Sequence, residues 1–168
     1  SFKSRGELIK QFVKLLPFTL TGAQRKVLGE IMKDLEKKKP MNRLIQGDVG
    51  SGKTIVALTA LLTAVDNGRQ SALMVPTEIL AEQHYLNISH YCEKLGIEIK
   101  LVTSALKGKE REIYFEEIQS GKTQIVVGTH SLIQKDIKFK KLGLVVIDEQ
   151  HRFGVMQREA IGKKGNQP

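Results

Sequence analysis

Residues 47–54 read GDVGSGKT, which satisfies the pattern G-x-x-x-x-G-K-[ST] of a phosphate-binding loop. Gly47, Gly50 and Gly52 permit a backbone path that turns successive N–H groups inward, and a helix start adds partial positive charge at the same point. Lys53 is placed to reach β and γ phosphates, and Thr54 to offer its hydroxyl to a bridging magnesium ion. Asp48, Val49 and Ser51 complete the same loop around the nucleotide. The competing account is a glycine-rich turn with an incidental lysine. An apolar strand pattern ending at Gln46 and a helical pattern beginning at Lys53 supply the context that favours the cradle.

Such a cradle needs a carboxylate source for the metal, and residues 144–151 read LVVIDEQH. Asp148 is expected to hold magnesium through water, and Glu149 to orient and deprotonate the water that attacks the γ-phosphate. Taken alone, two acids at a strand end are an ordinary solvated pair. With a phosphate loop upstream in the same chain they acquire a use.

Both motifs must be carried by a scaffold that brings strand ends together. Leu8, Ile9, Phe12, Val13 and Leu16 recur at helical spacing before Pro17, and Val27, Leu28, Ile31, Met32 and Leu35 do so after Thr21, so two amphipathic helices lead the chain. Strands are predicted at 43–46, 72–75, 97–102, 125–128 and 144–147, with helices at 53–65, 78–95 and 109–119 between them. This alternation predicts an α/β fold with a mostly parallel sheet covered on both faces, its ligands beyond the carboxyl ends of the strands. We divide the chain into N-terminal helices over 1–40 and a nucleotide-binding lobe over 41–168, forming one compact unit.

The 168 residues are 40% apolar, enough for one core, and no apolar run approaches the roughly 18 residues of a membrane span. The opening SFKSRGELIK has no hydrophobic block of a secretory signal. Cys92 is a lone cysteine, with no bridge partner and no C-x-x-C pair, which fits a reducing cytoplasm. Lys and Arg number 27 against 18 Asp and Glu, a net charge of +9 that attracts polyanions such as nucleic acid and nucleotides. Runs such as Glu36-Lys37-Lys38-Lys39 have a second explanation as cations ending a helix. The polar ending GKKGNQP reads as a linker or cut point, so the chain is expected to be one piece of something longer.

GDVGSGKT, PTEILAEQHY, IVVGTHSLIQ and DEQHRFG, in this order, resemble superfamily 2 helicase motifs, and are most similar to the first motor lobe of the RecG family of bacterial branched-DNA helicases. The resemblance covers about residues 16–153. It implies a three-layer RecA-like lobe that uses ATP and magnesium to move along DNA. Residues 16–24 resemble the segment that recognises adenine in these proteins, with Gln24 on the base edge and Phe18 packed against the base. Thr21 to Gln24 also has the T-x-x-Q form of a capping box, which would occupy the amide locally, and Phe18 is equally explained as core. Thr77, Gln83, Gly128 and Thr129 match positions that grip the phosphate backbone of one strand, although Thr77 alone reads as a helix cap. His151 corresponds to a residue that relays nucleotide state to the nucleic-acid side.

Arg152-Phe153-Gly154 is shared with transcription-repair coupling translocases, while Gln150 and Ser51 favour the RecG family. Thr103-Ser104-Ala105 departs from the family's Thr-Gly-Ser turn, and the missing glycine removes easy access to positive φ there. His84 and His130 have no evident ligand partners and read as surface or packing residues.

The chain stops before a third conserved motif and before a second lobe whose arginine completes the γ-phosphate site. The isolated fragment is therefore expected to bind ATP weakly and to hydrolyse almost none, since a trans arginine is worth roughly 10³ to 10⁵ in rate. Expected partners are branched DNA and the second helicase lobe and wedge domain of the parent chain, in a monomer with no membrane contact. An ABC-type ATPase would show an LSGGQ-like signature, absent here, and a nucleotide-sensing or nucleic-acid-binding module would lack Lys53, Asp148 or Glu149. An RNA helicase lobe is not separated by these motifs, which touch phosphates and sugars.

Overall fold

A computed structural model of the chain describes residues 6–16, 19, 21–35, 41–45 and 53–148. Eleven elements follow in order: α1 (Glu7–Leu15), α2 (Gly22–Leu35), β1 (Met41–Ile45), α3 (Lys53–Asp66), β2 (Gln70–Val75), α4 (Glu78–Leu95), β3 (Ile99–Val102), α5 (Gly108–Ser120), β4 (Ile125–Thr129), α6 (His130–Asp136) and β5 (Leu142–Asp148). The five strands form one sheet in the order β1-β5-β2-β4-β3, and every pairing is parallel. The expected α/β class and parallel sheet are thus present.

Strand alternation distributes the sheet's side chains between two cores. Leu73, Val75, Ile125, Val127, Leu144 and Val146 face one side, where they pack with residues of α1, α3 and α4. Ala72, Met74, Val126, Val145 and Ile147 face the other, against Ile118 of α5 and Ile133 of α6. The result is three layers, with both sheet faces covered as an all-parallel sheet requires. Leu8 and Phe12 of α1 belong to the first core, and Phe12 meets Tyr91 of α4 edge to face with ring centroids 5.5 Å apart.

Helix α3 lies deepest, with residues 57–65 all buried. Its two interior hydroxyls are satisfied within the helix, Thr59 donating to Ile55 O and Thr63 to Thr59 O at 2.7 Å. At the amino ends of the strands, buried Gln70 donates to Ile118 O and Thr123 O, both at 2.8 Å, and accepts from Lys141 N at 2.9 Å. One amide thereby joins the starts of β2 and β5 to the end of α5.

Two differences from the sequence reading have local causes. The third strand begins at Ile99 rather than at residue 97, because Ile97 N donates to Cys92 O at 2.9 Å around Gly96, which sits at φ 71°. Ile97 thus completes the helix C-terminal motif of α4, with its N–H committed to the helix. Helix α6 was not expected, since seven residues supply under two turns of apolar periodicity.

Candidate functional site

The carboxyl ends of β1, β5 and β2 converge where the phosphate loop must be held. In register, Ile45 at the end of β1 lies opposite Asp148 at the end of β5. The chain leaves β1 there and re-enters as α3 at Lys53, so the strand end that leads into the glycine run lies opposite Asp148. Residues 46–52 themselves, the Lys53 side chain, Phe18, Glu149, Gln150 and His151 lie outside the described residues. Thr54 stands in the first turn of α3 and is half-buried, at the helix end whose partial positive charge suits phosphate.

Asp148 continues the alternation of Leu144 and Val146, which directs it to the face covered by α3 and α4. It is buried, and its Oδ2 lies 2.8 Å from Nε2 of His84, with side-chain exposures of 4% and 14%. An ionised carboxylate only accepts, so the imidazole donates. A carboxylate this covered needs such partners, because burial of a charge without them is prohibitive.

His84 was read from sequence as surface or packing, and the structure gives it a polar partner in the site. Its position had a legible signal. Ala81, Ile88, Cys92 and Leu95 are the buried residues of α4, and His84 falls on the same stripe, three residues after Ala81 and four before Ile88. A histidine inside an apolar stripe calls for a hydrogen-bond partner. What the sequence withheld was which strand end would provide it. His130 is also buried, as the first residue of α6.

Gln24 forms the reciprocal capping box. Thr21 N donates to its Oε1 at 2.8 Å, and Gln24 N donates to Thr21 Oγ1 at 3.2 Å. A carbonyl oxygen carries two lone pairs, and the amide also carries two N–H donors, so capping leaves the side chain able to meet a further group.

The residues matched to a strand-gripping surface lie along the ends of β2 and β4. Val75 and Thr129 are in register, and Thr77 follows two residues later as the exposed N-cap of α4, its hydroxyl accepting from Leu80 N at 3.2 Å. Gln83 is exposed on the outer side of α4. Gly128 and Thr129 are buried. A Cβ on Gly128 would stand 2.9 Å from Val102 O and 3.3 Å from Ile133 Cγ1, so close approach of β3 and α6 is what demands glycine there. At the departing turn, Ser104 N donates to Glu78 Oε1 at 2.7 Å. The Ser104 side chain, together with that backbone bond, holds the Glu78 carboxyl below its ordinary range. The Ser104 backbone N–H is thus already occupied by a carboxylate.

Magnesium typically keeps several waters and takes one or two carboxylates plus substrate phosphates. A buried carboxylate at the end of β5 and a threonine in the first turn of α3 are the donor types that fit that requirement.

A DEAD/DEAH box helicase family model matches residues 21–166. The ATP-dependent DNA helicase RecG of Synechocystis sp. is 51% identical over 167 residues, covering 99% of this chain and 20% of that protein. RecG of Bacillus subtilis is 52% identical over 162 residues, covering 96% of this chain and 24% of its own length. Among solved structures, RecG bound to a three-way DNA junction superposes with a TM-score of 0.79 at 49% identity, covering 90% of this chain and 21% of that one. The UvsW helicase of bacteriophage T4 shares the fold, with a TM-score of 0.62 at 17% identity over 99% of this chain and 57% of its own. The chain spans about a fifth to a quarter of the length of these RecG proteins.

Proposed function

The chain belongs to the DEAD/DEAH box helicase family, and on that premise we propose that it is the ATP-binding motor lobe of an ATP-dependent DNA helicase that remodels branched DNA. The observation that carries this reading is the placement of buried Asp148 directly opposite the strand end that leads into GDVGSGKT. Thr54 and Asp148 are the residues that would hold magnesium, which would supply positive charge against the charge that develops on the transferred phosphate. Lys53 and the backbone N–H groups of residues 47–52 hold the phosphates. Thr54 and Asp148 orient the metal's ligand shell, and Glu149 orients the attacking water and takes its proton. Gln24 reads the adenine edge from the capping box it already forms, with Phe18 against the base.

Thr77, Gln83 and Thr129 are assigned to the phosphates of one nucleic-acid strand, with Gly128 shaping the strand end behind them, and His151 to relay. The preference for branched substrates is given to other parts of the parent protein, which also supplies a second lobe with the arginine needed for turnover. We place the protein in the cytoplasm as a monomer. No helix among the described residues is long and apolar enough to cross a membrane.

ATPase assays of the intact protein on forked DNA, linear duplex and RNA test this reading. Forked DNA is expected to stimulate hydrolysis most, and Lys53→Ala to abolish both hydrolysis and phosphate-dependent nucleotide binding. Unchanged ATP affinity in the Lys53 variant would sink the cradle, and equal stimulation by RNA would sink the DNA assignment.

A further inference from the structure

We propose that His84 is a positioning residue for Asp148 and the mechanical link between the strand-gripping helix and the metal carboxylate; the inference rests on the motor-lobe reading above. Three observations carry it. His84 Nε2 lies 2.8 Å from Asp148 Oδ2, with both side chains largely covered. Nδ1 of the same ring is buried and has no hydrogen-bond partner among the described residues. No wider network of the ring therefore accounts for a polar side chain on an otherwise apolar stripe. Finally, α4 presents His84 inward while carrying Thr77 at its start and Gln83 outward, the residues assigned to nucleic acid.

The physical consequence follows from geometry. A carboxylate that serves a metal through water must present its oxygens at a fixed angle, and a donor held on Oδ2 fixes the plane of the group. A donor that touches a metal-serving carboxylate orients that group and tunes metal affinity. The same bond ties that plane to the position of α4. This helix is an 18-residue rod, capped by Thr77 at one end and by Gly96 at the other. A small shift of α4 when its outer side engages a strand carries Nε2 with it and turns Asp148. Strand engagement is thereby transmitted to the metal site by one hydrogen bond, 64 residues apart in sequence.

The test uses the intact protein. His84→Leu removes the donor at similar volume, while His84→Gln keeps a donor near the Nε2 position. The first readout is the magnesium concentration for half-maximal binding of a fluorescent ATP analogue, and the second is the ratio of DNA-stimulated to basal hydrolysis. His84→Leu is expected to raise the magnesium requirement about 10-fold and to bring the stimulation ratio toward one, with His84→Gln restoring most of both. Added to Asp148→Asn, His84→Leu should change the magnesium requirement no further.

A folded His84→Leu protein with unaltered magnesium dependence and stimulation overturns the proposal, as does a loss that adds in full to that of Asp148→Asn. Should the Leu variant fail to fold, imidazole nitrogen resonances of His84 in the unmutated protein decide. They are expected to move on addition of Mg-ATP and again on addition of forked DNA, and a stationary signal overturns the link. If Asp148→Asn alone leaves magnesium dependence unchanged, the motor-lobe reading fails together with the inference, whereas a normal Asp148→Asn defect beside a silent His84→Leu sinks the inference alone.

Discussion

Gln24 sits where a helix start and a base edge would compete for one side chain, and two substitutions separate the roles. In the capping box its Oε1 accepts from Thr21 N at 2.8 Å. Removing that acceptor from an exposed helix start costs about 0.5–1 kcal/mol. For a domain of this size, 1 kcal/mol corresponds to roughly 2–4 °C in Tm, so Gln24→Ala should lower the melting temperature of this chain by about 1–4 °C. Gln24→Glu keeps a carboxylate oxygen for the Thr21 N–H and places negative charge in the first turn of α2, so its Tm should hold or rise slightly. The variants differ on the nucleotide. Adenine offers an N6–H donor where guanine has an O6 acceptor, and N7 accepts in both; an acceptor that gains about 1 kcal/mol on the one and is mismatched against the other gives roughly a 10-fold preference for ATP over GTP. Gln24→Ala should lose it, and Gln24→Glu, which keeps an acceptor, should retain it. Differential scanning calorimetry supplies the Tm, and competition of GTP against a fluorescent ATP analogue on the intact protein supplies the preference. A Gln24→Ala protein that still prefers ATP while its Tm falls refutes adenine reading by Gln24 and leaves the residue a cap alone.

Glu149→Gln in the intact protein should retain Mg-ATP binding and lower kcat by about 10² to 10⁴, the usual span for a lost general base; normal turnover removes Glu149 from that role. Gly128→Ala should destabilise the fold by about 1–3 kcal/mol, because the new Cβ meets a backbone oxygen at 2.9 Å; chemical denaturation measures it, and an unchanged midpoint means β3 yields more easily than its packing implies. Burial pushes the Cys92 thiol up to about 12, and only the thiolate reacts. Ellman's reagent at pH 8 should therefore label Cys92 only after denaturation, and prompt labelling of native protein shows that α4 opens readily.

The scaffold was legible because each buried strand is a short apolar run set between longer helical patterns, as 125–128 and 144–147 show. Asp148 could be placed at a strand end from LVVIDEQH alone, since an acid after four apolar residues ends a buried strand. The start of the third strand was misread because Ile97 is as apolar as Ile99, and only the geometry at Gly96 reveals that its N–H belongs to the preceding helix. Helix α6 escaped for want of length. At the third strand the missing information was a hydrogen bond rather than a hydrophobic pattern.

The contact of His84 with Asp148 was beyond reach for a different reason. Helix α4 follows β2, and nothing local tells which strand lies next to β2 in the sheet. The observed order inserts the last strand between the first two, so the end of β5 falls beside both the exit of β1 and the helix that follows β2. One crossover thus brings together the exit of β1, a histidine at 84 and a carboxylate at 148. The same order places the end of β4 on the far side of β2, where Thr129 is in register with Val75. Helix α4 therefore has its inner side on the carboxylate through His84, while Gln83 on its outer side is exposed. A motor that couples nucleotide state to strand movement needs an element that reaches both, and the proposal that His84 positions Asp148 gives that part to α4.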